Sequence, residues 1–241
     1  MTSGQTIMKL FFACLLVLAC TAALGAPQEA QKWQGWIPSG WKLIHTATGD
    51  LNNDGRSDAV LIIEQDYPRN RKPNTGLGEP VLNTNPRHLL ILFNTPAGFK
   101  LTSSVDHFLP GEGSLDYPCL ADPLDNGGAS VKRGLLQIDL HYWLSCGSYA
   151  VNHQTLLFRH EGGRFRLIGR DAWDFMRNSG ERSEVSINYL TGKRKTTTGL
   201  NEFDKSSPKV VWDEVRNRGP FFLDAISSEC PAEENSANWC L

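Results

Sequence analysis

Apolar and polar residues alternate with a period of two in several segments of the chain, and no segment keeps a helical period flanked by caps. Leu136, Ile138, Leu140 and Tyr142 alternate with Gln137, Asp139 and His141, as in a strand with one wet face. Two runs, residues 58–64 (DAVLIIE) and 88–93 (HLLILF), are apolar on both faces, which suits strands buried inside a stack of sheets. Residues 41–46 read as a strand ahead of them. Turn chemistry separates these segments. NTPAG at 94–98 folds residues 88–105 into a hairpin, HEGGR at 160–164 parts TLLF from FRLIG, and LTGK at 190–193 parts Val185, Ile187 and Tyr189 from RKTTTG. Residues 213–218 offer a helical turn or two. The pattern predicts an all-β fold, mainly an antiparallel meander, in one domain over residues 41–241.

Two stretches break the alternation. Residues 65–87 carry Pro68, Pro73, Pro80 and Pro86 with Arg69, Arg71, Lys72 and Arg87, and little apolar content, which predicts the most mobile part of the domain. Residues 106–133 hold Cys119 with Asp116, Asp122 and Asp125. Loops of that length in a compact domain are functional or mobile. Residues 26–40 (APQEAQKWQGWIPSG) are polar and read as an N-terminal tether that becomes ordered near Trp36. Trp33, Trp36 and Trp41 either pin the chain end to a core or form a sugar-stacking platform.

Length and charge narrow the class. A chain of 241 residues, 40% hydrophobic and 21% charged, can bury one real core. Its formal net charge of -2 gives no footprint for nucleic acid. Lys9 before the apolar run 10–18 and small residues beyond it form the order of a secretory signal peptide over residues 1–25, too short to span a membrane. Met8, just before Lys9, is a candidate translation start. ALGA at 23–26 suits ordinary cleavage, whereas VLAC at 17–20 resembles a lipobox that would make Cys20 a lipid anchor. The expected location is therefore outside the cytoplasm, in a bacterial periplasm or on a membrane through Cys20. Of six cysteines, Cys14 and Cys20 lie in or beside the signal, leaving Cys119, Cys146, Cys230 and Cys240. An even set in an exported chain reads as two disulfides, with three connectivities open. Cys119–Cys146 and Cys230–Cys240 are expected because each closes a short loop.

Chemistry concentrates in GDLNNDGRSDAVLII, residues 49–63. Counted from Asp50, side-chain oxygens fall at positions 1, 3, 5 and 9 (Asp50, Asn52, Asp54, Asp58), Gly55 takes position 6, and Arg56 offers a backbone carbonyl at position 7. Hard oxygen donors in this spacing predict a structural Ca²⁺. Three crowded carboxylates would otherwise repel one another unless some cation compensates. An EF-hand is excluded, since position 12 is Leu61 and the following run is β-type. The stretch resembles the calcium loop of FG-GAP/VCBS-type repeats, the blades of integrin-α-like β-propellers, and LFNTPAGF (92–99) resembles the hairpin that completes such a unit. The likeness covers residues 41–105. It implies a calcium site and propeller-like blades and carries no activity. A closed propeller needs several blades, and there is one DxNxDG loop, so the whole chain most resembles small exported bacterial proteins with a single such loop and a β meander.

Catalytic signatures are missing. Six histidines show no HxH or HExxH spacing, no GxSxG is present, and no CxxC supports a zinc ribbon. Carboxylate pairs such as Asp171/Asp174 and Glu181/Glu184 suit a glycosidase only if the fold sets them across a cleft. The expectation is a non-enzymatic, calcium-stabilised binding or envelope-associated module, its partner an envelope protein or a glycan. The alternative is a periplasmic hydrolase acting on glycan or peptide.

Overall fold

A period-two pattern can bury one face only in a pleated strand, and the chain is extended wherever that pattern runs. The structure, a computed structural model, describes residues 32–227. The chain divides into two compact units, residues 1–36 and 37–241. The described part of the first contains one 3-10 turn, Gln34–Trp36. The second contains thirteen described strands: β1 (Trp41–Gly49), β2 (Asp58–Gln65), β3 (Arg71–Pro73), β4 (Val81–Asn83), β5 (Arg87–Thr95), β6 (Gly98–Val105), β7 (Gly128–Lys132), β8 (Leu135–Trp143), β9 (Ala150–Glu161), β10 (Arg164–Met176), β11 (Glu181–Asn188), β12 (Lys193–Asn201) and β13 (Lys209–Glu214).

All ladders between these strands are antiparallel. A four-stranded sheet has the order β1-β2-β5-β6, a seven-stranded sheet runs β7 to β13 in chain order, and β3 and β4 form a small hairpin. None closes into a barrel, so the fold is the open all-β meander that the alternation predicts. The hairpins at 94–98, 160–164 and 190–193 are all present, as β5–β6, β9–β10 and β11–β12.

Burial follows the patterns strand by strand. Residues 58–64 of β2 are buried on both faces, whereas β8 buries Leu136, Ile138 and Leu140 and leaves the residues between them half-exposed. One apolar cluster joins Val60, Ile62, Leu89 and Ile91 of the smaller sheet to Leu136, Ile138, Leu156, Phe158 and Leu167 of the larger. Phe108 meets Phe158 edge to face within it, centroids 5.7 Å apart, a geometry that adds about 0.5–1.5 kcal/mol to area burial. The edge strands β1 and β7 lie against each other, and two glycines permit it. A Cβ on Gly49 would stand 2.6 Å from Val131 Cγ1, and one on Gly128, whose φ is +98°, would stand 2.9 Å from the His45 ring. His45 Nε2 lies 2.7 Å from the Ala129 carbonyl and ties the two edges.

Three local expectations fail, one of them the loop over 106–133, whose last residues form β7. Residues 65–87 are not a bare loop: they hold a 3-10 turn (Pro68–Asn70) and the β3–β4 hairpin, with Asn83, Asn85 and Arg87 buried. Asparagine amides replace the apolar contacts the segment lacks. Asn85 Oδ1 accepts the Tyr67 N–H at 3.0 Å, and Asn70 donates to Gln65 Oε1 at 3.1 Å. The helical turn over 213–218 is also absent. Asp213 and Glu214 end β13, and Asp213 accepts Arg194 Nε at 2.8 Å across the ladder, an interaction invisible in local sequence.

Candidate functional site

The loop between β1 and β2 is shaped by its own side-chain oxygens. Asp50 accepts the N–H of Asp54 at 3.2 Å and that of Gly55 at 2.8 Å, while Asn52 Oδ1 accepts Asp54 N–H at 3.0 Å. Asp54 Oδ1 accepts Arg56 N–H at 2.9 Å, and the Arg56 guanidinium also reaches its carboxylate. That N–H, helped by the Asn52 amide and the Arg56 charge, holds the Asp54 carboxyl below the usual carboxylate range. Asp58 is fully buried. Its two oxygens accept Leu51 N–H at 2.8 Å and Asn94 N–H at 2.9 Å, and Arg56 Nε donates to Asn94 O at 2.7 Å. The loop is thus tied to the β5–β6 hairpin at both backbone polar groups of Asn94.

This donor set has the chemistry calcium takes. The oxygens of Asp50 and Asp58 and Oδ1 of Asp54 each keep a second lone pair beside the one N–H they accept, whereas Asp54 Oδ2 accepts both the Asn52 amide and the Arg56 guanidinium; Asp50, Asn52, Asp54, Asp58 and the Arg56 carbonyl are donors of the kind a hard cation takes. Repulsion among the carboxylates is, however, already met by N–H donors and by Arg56. A cation taking Asp54 Oδ2 would have to displace the Arg56 guanidinium from it. Among the described residues no three Asp, Glu, His or Cys side chains stand close enough to hold a metal as they are.

A second site was not legible beforehand. In the seven-stranded sheet the face that carries the core turns polar toward one end, where Tyr142, Asn152, Gln154, Arg170 and Asp174 replace aliphatic residues. Register explains the grouping: Tyr142 pairs with Asn152, Asn152 with Asp174, and Leu156, the next core-facing residue after Gln154 on β9, with Arg170. These side chains form one wall of a cleft of about 980 Å³. The segment 110–117 forms the other, presenting Asp116 and the 64% exposed Tyr117. Inside the cleft Arg170 Nε donates to Gln154 Oε1 at 3.2 Å, Asn152 donates to Asp174, and burial pushes the Tyr142 phenol up.

Long-range bonds hold the second wall. Arg87 is 2% exposed; its Nη1 and Nη2 each lie 2.6 Å from Asp122, its Nε lies 2.9 Å from Glu64, and Nη1 reaches the Pro110 carbonyl at 3.3 Å. Glu64 also accepts Asn83 and Lys42, each at 2.9 Å. Burial alone would raise the Glu64 carboxyl, but these bonds and the Arg87 charge outweigh it and hold it low. Gly113 N–H bonds Asn83 O at 2.9 Å. Farther along, the Cys119–Cys146 disulfide, Cα atoms 5.4 Å apart, fastens the segment to the turn after β8, as the cysteine spacing predicts.

Other expected residues fall as follows. His141, His153 and Trp173 line up on the opposite face of the larger sheet, His153 stacked on Trp173 at 5.4 Å. Asp171 and Asp174, three residues apart on β10, fall on opposite faces and make no pair. Cys230, Cys240, Cys20 and the signal segment lie outside the described residues. Among the described residues no helix is long and apolar enough to cross a membrane. No protein-family model, curated protein or solved structure matches the chain.

Proposed function

We propose that this chain is an exported, non-enzymatic glycan-binding module whose ligand lies in the cleft between the polar end of the seven-stranded sheet and segment 110–117. The observation that carries the reading is the composition of that cleft. Planar amide, carboxylate and guanidinium groups (Asn152, Gln154, Asp174, Arg170) suit vicinal hydroxyls, and the exposed Tyr117 ring suits the apolar face of a pyranose. The β1–β2 loop takes Ca²⁺ on Asp50, Asn52, Asp54, Asp58 and the Arg56 carbonyl, as the FG-GAP/VCBS-like spacing suggests, and serves stability rather than ligand contact. A periplasmic setting, or anchoring through Cys20, agrees with the disulfide.

Calorimetry against neutral and acidic oligosaccharides tests the reading. Wild type binds, and Tyr117→Ala and Asp174→Asn each weaken binding severalfold without lowering the melting temperature. Unchanged affinity in both variants would remove the cleft from the account. A hydrolase is the second reading, favoured by one fact: Asp116 and Asp174 line the same cleft. Release of shorter sugars by wild type, abolished in Asp174→Asn, would establish it instead.

A further inference from the structure

Arg170 stands apart from the other partly buried arginines of the larger sheet. Arg159 and Arg166 pair with Glu161, Arg182 with Glu184 and Glu202, and Arg194 with Asp213. Arg177 donates to the carbonyls of Leu144 and Ser148. Among the described residues no carboxylate pairs with Arg170, and its one hydrogen bond runs from Nε to Gln154. Asp116 and Asp174 line the same cleft, but neither makes an ion pair with Arg170. Across the ladders it sits opposite Leu156 and Ile187, and its charge is felt by the Tyr142 and Tyr189 phenols. A partly desolvated cation without a counter-charge is costly, and such a group is retained where something else supplies the anion.

We propose that Arg170 binds the carboxylate of an acidic, uronic acid-containing oligosaccharide in the cleft. The planar fork left by the two free Nη groups matches a carboxylate in two parallel hydrogen bonds. Gln154 holds the guanidinium through Nε, and Arg170 lines the cleft. Asn152 and Asp174 then meet ring hydroxyls, and Tyr117 the sugar face. This inference rests on the glycan-binding reading above and adds the acid group and the residue that selects it.

The experiment compares a set of uronic acid trisaccharides, each as free acid and as methyl ester, by calorimetry on the full mature chain. At least one free acid binds, and its ester binds tenfold or more weakly. Arg170→Gln lowers affinity for the acid tenfold or more and removes the preference for acid over ester. Arg170→Lys, which keeps the charge but not the fork, falls between. Equal binding of acid and ester by wild type overturns the inference while leaving glycan binding in place, and this comparison needs no variant to fold. Unaltered acid binding in a folded Arg170→Gln overturns it too. Failure of every neutral and acidic sugar to bind overturns the glycan reading itself, and the inference with it.

Discussion

Replacing Arg87 with Met removes the cation shared by Glu64 and Asp122 while keeping an apolar stem of similar length. Glu64 is 1% exposed and Asp122 16%, so both carboxylates lose a counter-charge largely away from water. Removing one partner of a buried pair costs about 3–5 kcal/mol. Glu64 keeps Lys42, but that side chain is 41% exposed and its pairing is weakened by solvent. At about 2–4 °C per kcal/mol for a unit of this size, melting should fall by about 6–20 °C at neutral pH. The loss depends on pH. Because the folded Glu64 carboxyl lies below its unfolded value of about 4.3, its stabilisation is present above that pH and is lost as pH falls through the lowered folded value. The gap between wild type and Arg87→Met should therefore be widest near neutrality and narrow below about pH 4. Urea unfolding of wild type, Arg87→Met, Asp122→Asn and the double variant at both pH values measures this. Removing both partners leaves fewer orphaned charges, so the double variant should cost less than the two singles together. A loss under about 1 kcal/mol, or strict additivity, would refute the idea that this pair anchors segment 110–122.

Calcium should raise the melting temperature and saturate only near about 10⁻⁴–10⁻³ M, with Asp54→Ala abolishing the response; identical melting in excess Ca²⁺ and in chelator would leave the loop a turn closed by Arg56. Converting Cys119 and Cys146 to Ala should cost about 3.5 kcal/mol by the chain-entropy relation for their separation of 27 residues, read by urea unfolding, and should weaken ligand binding because one cleft wall is released. In an alkaline spectrophotometric titration Tyr189, pushed up to about 12 by burial, and Tyr142, also raised by burial, should ionise above the ordinary tyrosine value of about 10. Stability from Tyr189 is complete below the unfolded pKa of about 10 and is lost as pH rises through its folded value; Tyr189→Phe should flatten that loss.

Local pattern carried the strands with strong alternation and the three hairpins, because strand faces and tight turns are decided within a few residues. It did not carry β7 and β13. GASVK opens on a glycine and is too short to show a period, and KVVWDE is exposed along its length, so no buried face marks it. The oxygen-rich loop was legible as chemistry but not as geometry: nothing in GDLNNDGRSD says that Arg56 would take Asp54 or that Asp58 would reach Asn94, 36 residues away. The cleft was illegible for a related reason. Asn152, Gln154, Arg170 and Asp174 look like ordinary polar positions until ladder register sets them side by side. The Glu64–Arg87–Asp122 network likewise joins residues 23 and 35 apart. A lone glutamate ending an apolar strand was its only local sign.

The chain order of the larger sheet has a consequence for how it assembles. Every ladder in it joins neighbours in sequence, from β7 at one edge to β13 at the other, so each pairing closes a short loop and the entropy of closure stays small. Growth can start at the long β9–β10 hairpin and add one strand at a time in either direction. Loss should run in reverse: β13, exposed and, among the described residues, paired on one side only, is expected to give up its amide protons to deuterium first, and β9 and β10 last. The cleft wall formed by β8, β9 and β10 is thus expected to form first and open last, which would keep the proposed binding surface intact while the far edge frays.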